Sequence, residues 1–389
     1  MALPSISITV GNGGLGLVLP SADGVVGLVM NGVATANLAI GVAKQIFSLE
    51  EAVALGLTTA YDSTNAVKVY EHIKRFYDVA GKGSELWVML VSQAVNLATM
   101  CDVGNVYAKK LLDDAQGTIK VLGVVRNPAS GYVGTISSGL DVDVYAAITN
   151  AHNLGAAYAA LFQPVRILLD GYSYNNVAAN LNDLTTYTNN RVGVLIGGVA
   201  TGHNSMGLLL GKVAKIQVQR NIGRVKDGAL PISTAFIGNS KPTFAISTAL
   251  HNKGYITLTS HLRRAGYYFN DDRMAALPTD DFCFLANGRT LDKVISIAYD
   301  TYVNELLDNV DLDTNGKISV GQAKEFEGII ENAINTLMTA EGEISGVDAF
   351  VDHNQDVQAT GKVCVQLRVQ PLGTLREICV DLGFKANLS

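Results

Sequence analysis

The feature that most constrains the fold is a repeated alternation of short, continuously apolar runs with longer amphipathic segments. The apolar runs lie at 85–92, 119–125, 165–171 and 191–198. Strands of this kind are covered on both faces, and strands that alternate with helices usually run parallel. We therefore expect an α/β fold with a mixed, largely parallel sheet covered by helices, occupying residues from about 25 to 260.

The segments between the runs have the 3.6-residue apolar spacing of helices. Ser48 and Glu51 fit a capping box, in which the Ser hydroxyl caps the first turn and the acidic side chain reaches back. Residues 64–80 place a series of apolar side chains on one helical face. The remaining helices are expected at about 103–115, 141–162, 175–187, 206–220, 293–310 and 320–338.

Both ends of the chain have a different pattern, in which apolar and polar residues alternate. This two-residue period is typical of a strand with one exposed face. The alternating apolar positions are Ile6, Ile8 and Val10 in SISITV, then Val363, Val365, Leu367 and Val369 in KVCVQLRV, and finally Ile378, Val380 and Leu382 in LREICVDLGF. We expect a strand at 5–10 and two more at 362–369 and 375–384, joined by a turn at 371–373.

These patterns divide the chain into four segments. The first, 1–20, is an arm strand followed by a glycine-rich hinge, and the second, 21–260, is the α/β body. A largely helical part covers 261–361, and a β-hairpin with an arm covers 362–389. The body is long enough to bury a core of its own.

The stretch DLDTNGKISVGQ at 311–322 matches most of the calcium-binding loop of an EF-hand. Asp311, Asp313, Asn315 and Ser319 fall on ligand positions of such a loop. The twelfth position holds Gln322, which offers one neutral oxygen in place of the two carboxylate oxygens of a Glu. These four residues are therefore only a weak calcium candidate.

A second interpretation of the same stretch uses Gln322. Residues 313–316 have the composition of a type I turn, with Asp first and Gly last. Ser319 and Gln322 then form a capping box, in which Ser319 caps the following helix. This interpretation makes the stretch the start of helix 320–338.

Features that often mark enzymes are incomplete in this chain. GNGGLG at 11–16 has dinucleotide-loop spacing, but no helix pattern follows it. GGVATGHNS at 197–205 lies between a strand and a helix, yet it lacks the Lys and the Ser or Thr of a phosphate loop. We expect no catalytic residue, no cofactor and no enzymatic activity. An α/β enzyme or phosphate-binding protein that uses the 197–205 turn remains an alternative.

The composition narrows the choice of partners. Lys and Arg total 29 against 35 Asp and Glu, and no basic block occurs, so nucleic-acid binding is not expected. No apolar stretch has the length of a spanning helix, and the N-terminus lacks the pattern of a signal peptide. Only 16% of residues are charged. We therefore expect a cytoplasmic protein that is not inserted in a membrane and that buries surface against other subunits.

Several segments, taken in order, resemble the contractile tail sheath proteins of bacteriophages and related contractile injection systems. In the C-terminal part these are LANGRTLDK (285–293), AYDTYVNELLDN (298–309), GKIS (316–319), GEISG (342–346) and VCVQLRVQPLGTLREICVDLGF (363–384). In the N-terminal half the likeness is looser and rests on IFSLEEAVALGL (46–57) and HIKRFYDVAGKGSELWVMLV (72–91).

The resemblance implies a structural function. Sheath subunits form stacked hexameric rings around an inner tube, and contraction drives the tube through a target envelope. The implied partners are other copies of the chain, the inner tail tube protein, and baseplate and tail terminator proteins. The implied location is the cytoplasm of the producing bacterium during assembly, and then the phage tail or injection particle. Another ordered phage assembly protein remains an alternative.

The resemblance also implies which residues make contacts. Arms at both ends of a sheath subunit add strands to a sheet in a neighbour, which agrees with the alternating patterns at both ends of this chain. Residues 5–10 are expected to pair near 363–369 and 376–382 of neighbouring subunits. Helix 320–338 is expected to face the tube, through Lys324, Glu325, Glu327 and Glu331. A solvated helix face is the alternative for these four charges.

Overall fold

The computed structural model describes residues 22–384. Contacts between residues divide the chain into two compact units, one ending at Leu306 and the other beginning at Leu307. The segment boundaries expected at 20, 260 and 361 come from sequence patterns, and they remain predictions. The strand expected at 5–10 and the glycine-rich stretch at 11–16 lie outside the described residues.

The first unit alternates strands and helices. Its strands are β1 (Val26–Gly32), β2 (Ala43–Ile46), β3 (Leu86–Ser92), β4 (Val121–Val125), β5 (Ile136–Ser137), β6 (Leu140–Asp141), β7 (Arg166–Asp170), β8 (Thr188–Asn189), β9 (Val192–Ile196), β10 (Ile256–Thr259), β11 (Tyr268–Phe269) and β12 (Ala275–Ala276). Its α-helices are α1 (Leu49–Ala54), α2 (Thr59–Asn65), α3 (Val69–Ala80), α4 (Leu97–Cys101), α5 (Ala108–Ala115), α6 (Val142–Ala160), α7 (Met206–Lys215), α8 (Phe244–Asn252) and α9 (Leu285–Tyr302).

Within the described residues, eight of these strands form one sheet in the order β11-β10-β9-β7-β4-β1-β3-β2. The strands from β3 to β10 in this order run parallel, and only the edge strands β2 and β11 are antiparallel. Helices cover both faces of the sheet and create a separate apolar core on each side. The predicted fold class, a largely parallel sheet covered by helices, is confirmed.

Close helix packing on one face depends on glycine. Helix α7 lies against α3, and Ile73 and Phe76 of α3 are fully buried there. A Cβ atom at Gly207 of α7 would overlap the carbonyl oxygen of His72. At Gly211, one turn later, a Cβ would lie 2.7 Å from the carbonyl oxygen of Phe76. The two glycines therefore set the distance between the two helices.

Two helix predictions in this unit are wrong. In place of a helix at 175–187 the chain forms two short 3-10 turns, Ala178–Asn180 and Leu184–Thr186. Asp183 accepts a hydrogen bond from the amide of Thr185, a local bond that favours turns over helix. The helix expected at 293–310 is α9, which begins and ends eight residues earlier.

The second unit consists of one long helix and a two-stranded sheet. Helix α10 (Val320–Ile334) continues through a π-helical turn, Asn335–Thr339, which agrees with the helix predicted at 320–338. The strands are β13 (Ile344–Val351) and β14 (Val365–Pro371), and they pair antiparallel; a short helix, α11 (Val357–Thr360), lies between them in the chain.

The C-terminal hairpin predicted between 362–369 and 375–384 does not form. Strand β14 pairs with β13 instead, with Ala349 opposite Leu367, and residues 372–384 have no regular secondary structure. The physical reason is burial. Strand β13 packs beside α10 and buries Ala349 and Val351, so its register is fixed by a core that 375–384 lacks.

Candidate assembly interface

The loop before α10 forms the predicted turn. The amide of Gly316 donates to the carbonyl oxygen of Asp313 at 3.1 Å. The Asp313 carboxylate accepts from the amides of Asn315 and Lys317 at 2.8 and 2.9 Å. These backbone hydrogen bonds hold the pKa of Asp313 below its usual value. The loop is therefore closed by its own backbone amides.

Only half of the expected capping box forms at the start of α10. The Ser319 hydroxyl accepts from the amide of Gln322 at 3.2 Å, as a helix cap does. The Gln322 side chain does not reach back to Ser319, because its Nε2 atom donates to the Glu325 carboxylate at 2.8 Å. The Ser319 amide donates instead to the carbonyl oxygen of Asp311 at 2.8 Å.

The calcium interpretation is not tested by these contacts. Of its four candidate ligands, Asp311, Asp313, Asn315 and Ser319, the last uses its hydroxyl as the cap of α10. In residues 22–384, no group of three or more His, Cys, Asp or Glu side chains is placed to share a metal ion.

None of the helices in residues 22–384 is long and apolar enough to cross a membrane.

Two glutamates of α10 point at the neighbouring strand. The Glu327 carboxylate accepts from the amide of Val351 at 2.9 Å. The Glu331 carboxylate, one turn later, accepts from the amide of Ala349 at 2.8 Å. Glu327 is buried and also contacts Lys324. That ammonium group and the Val351 amide lower the pKa of Glu327.

The predicted tube-facing residues of α10 have different surroundings, and contact with a tube stays a prediction. Glu327 and Glu331 are engaged with β13 of their own unit, so their carboxylates serve the fold of the subunit. Lys324 and Glu325 point outward and are exposed. Of the four predicted residues, Glu327 is buried and Glu331 is half-buried.

The predicted strand-exchange residues of the C-terminal part fall into two groups. Val363, Val365, Leu367 and Val369 are half-buried and alternate with exposed neighbours, four of the positions expected on one apolar face. Ile378, Val380 and Leu382 are 73, 78 and 91% exposed. We call residues 372–384 the C-terminal arm. Ile6, Ile8 and Val10 lie outside the described residues.

In open α/β sheets, ligands usually bind where the strand order reverses. In the sheet of the first unit this place lies between β1 and β4. In this chain buried polar side chains at that place bond to one another. The Arg126 guanidinium donates to the Asn31 side chain at 2.9 Å and to the Gln93 carbonyl oxygen at 2.8 Å. The Asn127 amide donates to the same Asn31 oxygen at 3.1 Å.

The 197–205 turn, the feature behind the enzyme alternative, is also closed. A phosphate loop needs backbone amides that point freely at the ligand. Here the amide of Gly197 donates to the Asn204 side chain at 2.6 Å, and the amide of Val199 donates to the Ser205 hydroxyl at 3.1 Å. Neither contact favours a phosphate ligand in this turn.

Comparison with protein families finds a match to both parts of the chain. The family model described as DUF2586, N-terminal domain, matches residues 3–273, and DUF2586, C-terminal domain, matches residues 281–389. A comparison with curated protein sequences found no match.

The chain is also similar to solved sheath structures over its whole length. The helical sheath of the anti-feeding prophage in its contracted state is 16% identical, with 100% of each chain covered and a TM-score of 0.65. The sheath complex of the extracellular contractile injection system PVC, also contracted, is 13% identical, with 99% of this chain and 98% of that chain covered and a TM-score of 0.65.

A third structure, the sheath tail protein from Desulfitobacterium hafniense, is 10% identical. It covers 95% of this chain and 100% of its own length, with a TM-score of 0.53. At these identities the likeness concerns the fold, and it confirms the fold expected from the resemblance in sequence. The chain belongs to the DUF2586 family and has the fold of contractile sheath proteins.

Proposed function

We propose that this protein is a structural subunit of a contractile sheath. It would polymerise as stacked hexameric rings around an inner tube and contract to drive the tube through a target envelope. The fold supports this, because sheath chains from two injection systems match both units from end to end. The closed 197–205 turn supports a structural rather than a catalytic function.

The observation that carries the proposal is a mismatch within the second unit. The second unit contains a sheet of only two described strands, and it contains an arm whose alternating apolar side chains are exposed to solvent. A two-stranded sheet is marginal alone, and exposed alternating apolar residues suit strand addition. Ile378, Val380 and Leu382 would bury their side chains only by joining a sheet, and the sheet of another copy is the partner we propose.

The N-terminal arm would make a second link of the same kind. Ile6, Ile8 and Val10 would pair with a neighbour, and the glycines at 11–14 would let the bodies rotate while the arm stays bound. A sheath can contract without losing subunits only if neighbouring subunits stay linked while their bodies rotate.

Contact with the tube would involve the exposed charges of α10. Lys324 and Glu325 are the two of the four predicted residues that are exposed there. The further partners would be the inner tail tube protein, baseplate proteins and a tail terminator. Assembly would take place in the cytoplasm of the producing bacterium, and the product would be part of a phage tail or an injection particle.

Removal of residues 1–12 tests the proposal. The truncated protein should keep the circular dichroism and melting transition of the full chain but no longer form long polymers in sedimentation and electron microscopy. As a matched control, Leu262→Ser changes an exposed apolar residue outside both arms, and it should leave polymer formation intact. Normal polymers from the truncated chain would contradict the arm mechanism.

A further inference from the structure

We infer that a surface cavity of the first unit is a binding site for a small organic anion, in which a carboxylate or phosphate group is attached to an apolar body. The lining of the cavity consists of Arg75 of α3, Val199 and the segment 230–234. A ligand there goes beyond the proposed sheath function. It would bind to side chains rather than to the closed amides of the 197–205 turn.

The cavity has the size and the firm walls of a small-molecule site. Its volume is about 490 Å³, and ligand pockets usually measure roughly 300–1,000 Å³. The segment 230–234 is held at both ends, because the Leu230 amide donates to the carbonyl oxygen of Tyr267 at 2.9 Å and the Phe236 amide donates to that of Gly198 at 2.8 Å. A site whose walls are already in place loses little entropy when it binds a ligand.

One part of the lining is apolar. Leu230 is buried in the same apolar core as Phe76 of α3. Val199 and Ile232 are half-buried, and Pro231 is exposed. An apolar ligand body placed against these side chains would remove apolar surface from water, which favours binding.

The guanidinium of Arg75 supplies a positive charge to the lining. Its Nη1 atom donates to the Asp78 carboxylate at 3.3 Å, and the Lys74 ammonium donates to the same carboxylate at 2.8 and 3.1 Å. One carboxylate thus serves two cations. The Arg75 Nε atom is buried and has no hydrogen-bond partner within residues 22–384. A buried donor without an acceptor costs free energy, and an anion in the cavity would supply the acceptor.

The chain around the cavity also favours an anion. The segment 203–270, which includes residues 230–234, contains nine Lys and Arg side chains and a single acidic one, although the whole chain has a net charge of −6. The acidic residue is Asp227, which already pairs with Lys212, Arg220 and Arg224. A surface with one sign of charge attracts ligands of the other sign. An inorganic anion would use Arg75 alone, whereas an organic anion would also use the apolar lining.

Titration of the purified full-length protein with naphthoate tests the inference by calorimetry. Naphthoate joins a carboxylate to an apolar ring system, naphthylmethanol is its neutral analogue, and inorganic phosphate is an anion without an apolar body. The protein should bind one naphthoate per chain, about tenfold more tightly or better than either comparison compound. Equal affinity for the neutral analogue, or no saturable binding of naphthoate, would overturn the inference.

Two variants of α3 assign the contact. Arg75→Gln removes the guanidinium and should weaken naphthoate binding about tenfold or more. The matched control is Lys74→Gln, because Lys74 shares Asp78 with Arg75 but does not line the cavity. Its half-exposed charge is screened by salt, so the control should change the affinity by about twofold at most. An equal loss in both variants would show general attraction by charge and would overturn the assigned site.

Hydrogen exchange of the wild-type protein gives an answer that needs no variant. Saturating naphthoate should slow exchange about threefold or more in peptides covering 230–236, and it should leave peptides of the C-terminal arm unchanged. Protection confined to the arm, or no protection at all, would contradict binding in the cavity. Neither the titrations nor the exchange depends on polymer formation, so their failure would leave the proposed sheath function standing.

Discussion

Arg166 and Asp292 form a buried ion pair that joins β7 to α9. The Arg166 Nε and Nη2 atoms donate to the two carboxylate oxygens of Asp292 at 2.6 and 2.9 Å. The Arg166 Nη1 atom donates to the carbonyl oxygen of Asn190 at 3.1 Å, and Nη2 also donates to that of Gly288 at 3.2 Å. Arg191 lies 3.5 Å from the same carboxylate. The pair thus fixes α9 on the sheet of the first unit.

Replacing Asp292 with Ala should destabilise the first unit strongly. The change leaves the buried Arg166 without its counter-ion, and breaking a buried pair costs about 3–5 kcal/mol. Asp78→Ala removes an exposed ion pair with Lys74 and should cost no more than about 1 kcal/mol. Urea unfolding of the two variants measures the difference. Equal stability would contradict the importance assigned to the buried pair.

A glycine in α9 offers an independent test of the same pair. A Cβ at Gly288 would lie 2.6 Å from the Arg166 Cζ atom, so Gly288→Ala should displace the guanidinium and lower the melting temperature. Gly328→Ala, in α10, has open space around the new Cβ and should raise stability by about 0.5–1 kcal/mol, because Ala favours helix. Thermal unfolding checks both changes; a harmless Gly288→Ala would refute the close approach.

Asp170 should make stability depend on pH. It is buried, accepts from Asn204 at 2.6 Å, and burial raises its pKa to about 7. The unfolded chain releases this proton near pH 4, so between about pH 4 and 7 the folded state binds one more proton. As pH rises over that interval, the free energy of unfolding should fall by up to about 1.4 kcal/mol per pH unit.

The variant Asp170→Asn isolates this effect. Its side chain does not titrate, so the free energy of unfolding of the wild type should fall relative to that of the variant as pH rises from 4 to 7. Urea unfolding at several pH values provides both curves. Curves that stay parallel over this range would show that Asp170 ionises normally in the folded protein.

The glutamates of α10 should protect the β13 edge from hydrogen exchange. In the double variant Glu327→Ala with Glu331→Ala, the amides of Ala349 and Val351 lose their acceptors and should exchange about tenfold faster or more. Glu325→Ala, which removes an exposed carboxylate of the same helix, is the control. Hydrogen exchange measured on peptides covering 344–353 compares the two variants. Unchanged exchange rates in the double variant would contradict the hydrogen bonds that Glu327 and Glu331 accept from β13.

The sequence predicts those parts of the fold that local patterns determine. Strands β3, β4, β7 and β9 and helix α6 lie within a few residues of their expected positions, because each is an uninterrupted apolar run or a long amphipathic segment. The sequence does not predict the central strand β1, because Gly27, Asn31 and Gly32 lower its strand propensity. Its place in the sheet depends on contacts with β3 and β4.

The candidate interface shows the same limit. The alternating apolar residues of β14 and the arm are visible in sequence, but the pairing of β14 with β13 depends on burial beside α10. The role of Glu327 and Glu331 had one available signal: both lie on the helical face that carries Ile330 and Ile334. A carboxylate on an apolar helix face needs a partner inside the protein.

Electron microscopy of the purified full-length protein is the most direct test of the sheath function. Subunits linked through their arms should assemble into hollow, striated cylinders built from stacked rings, and six-fold symmetry should be visible in end views. Folded protein that remains as single globular particles under all assembly conditions, or that forms ordered arrays without a central channel, would contradict a contractile sheath.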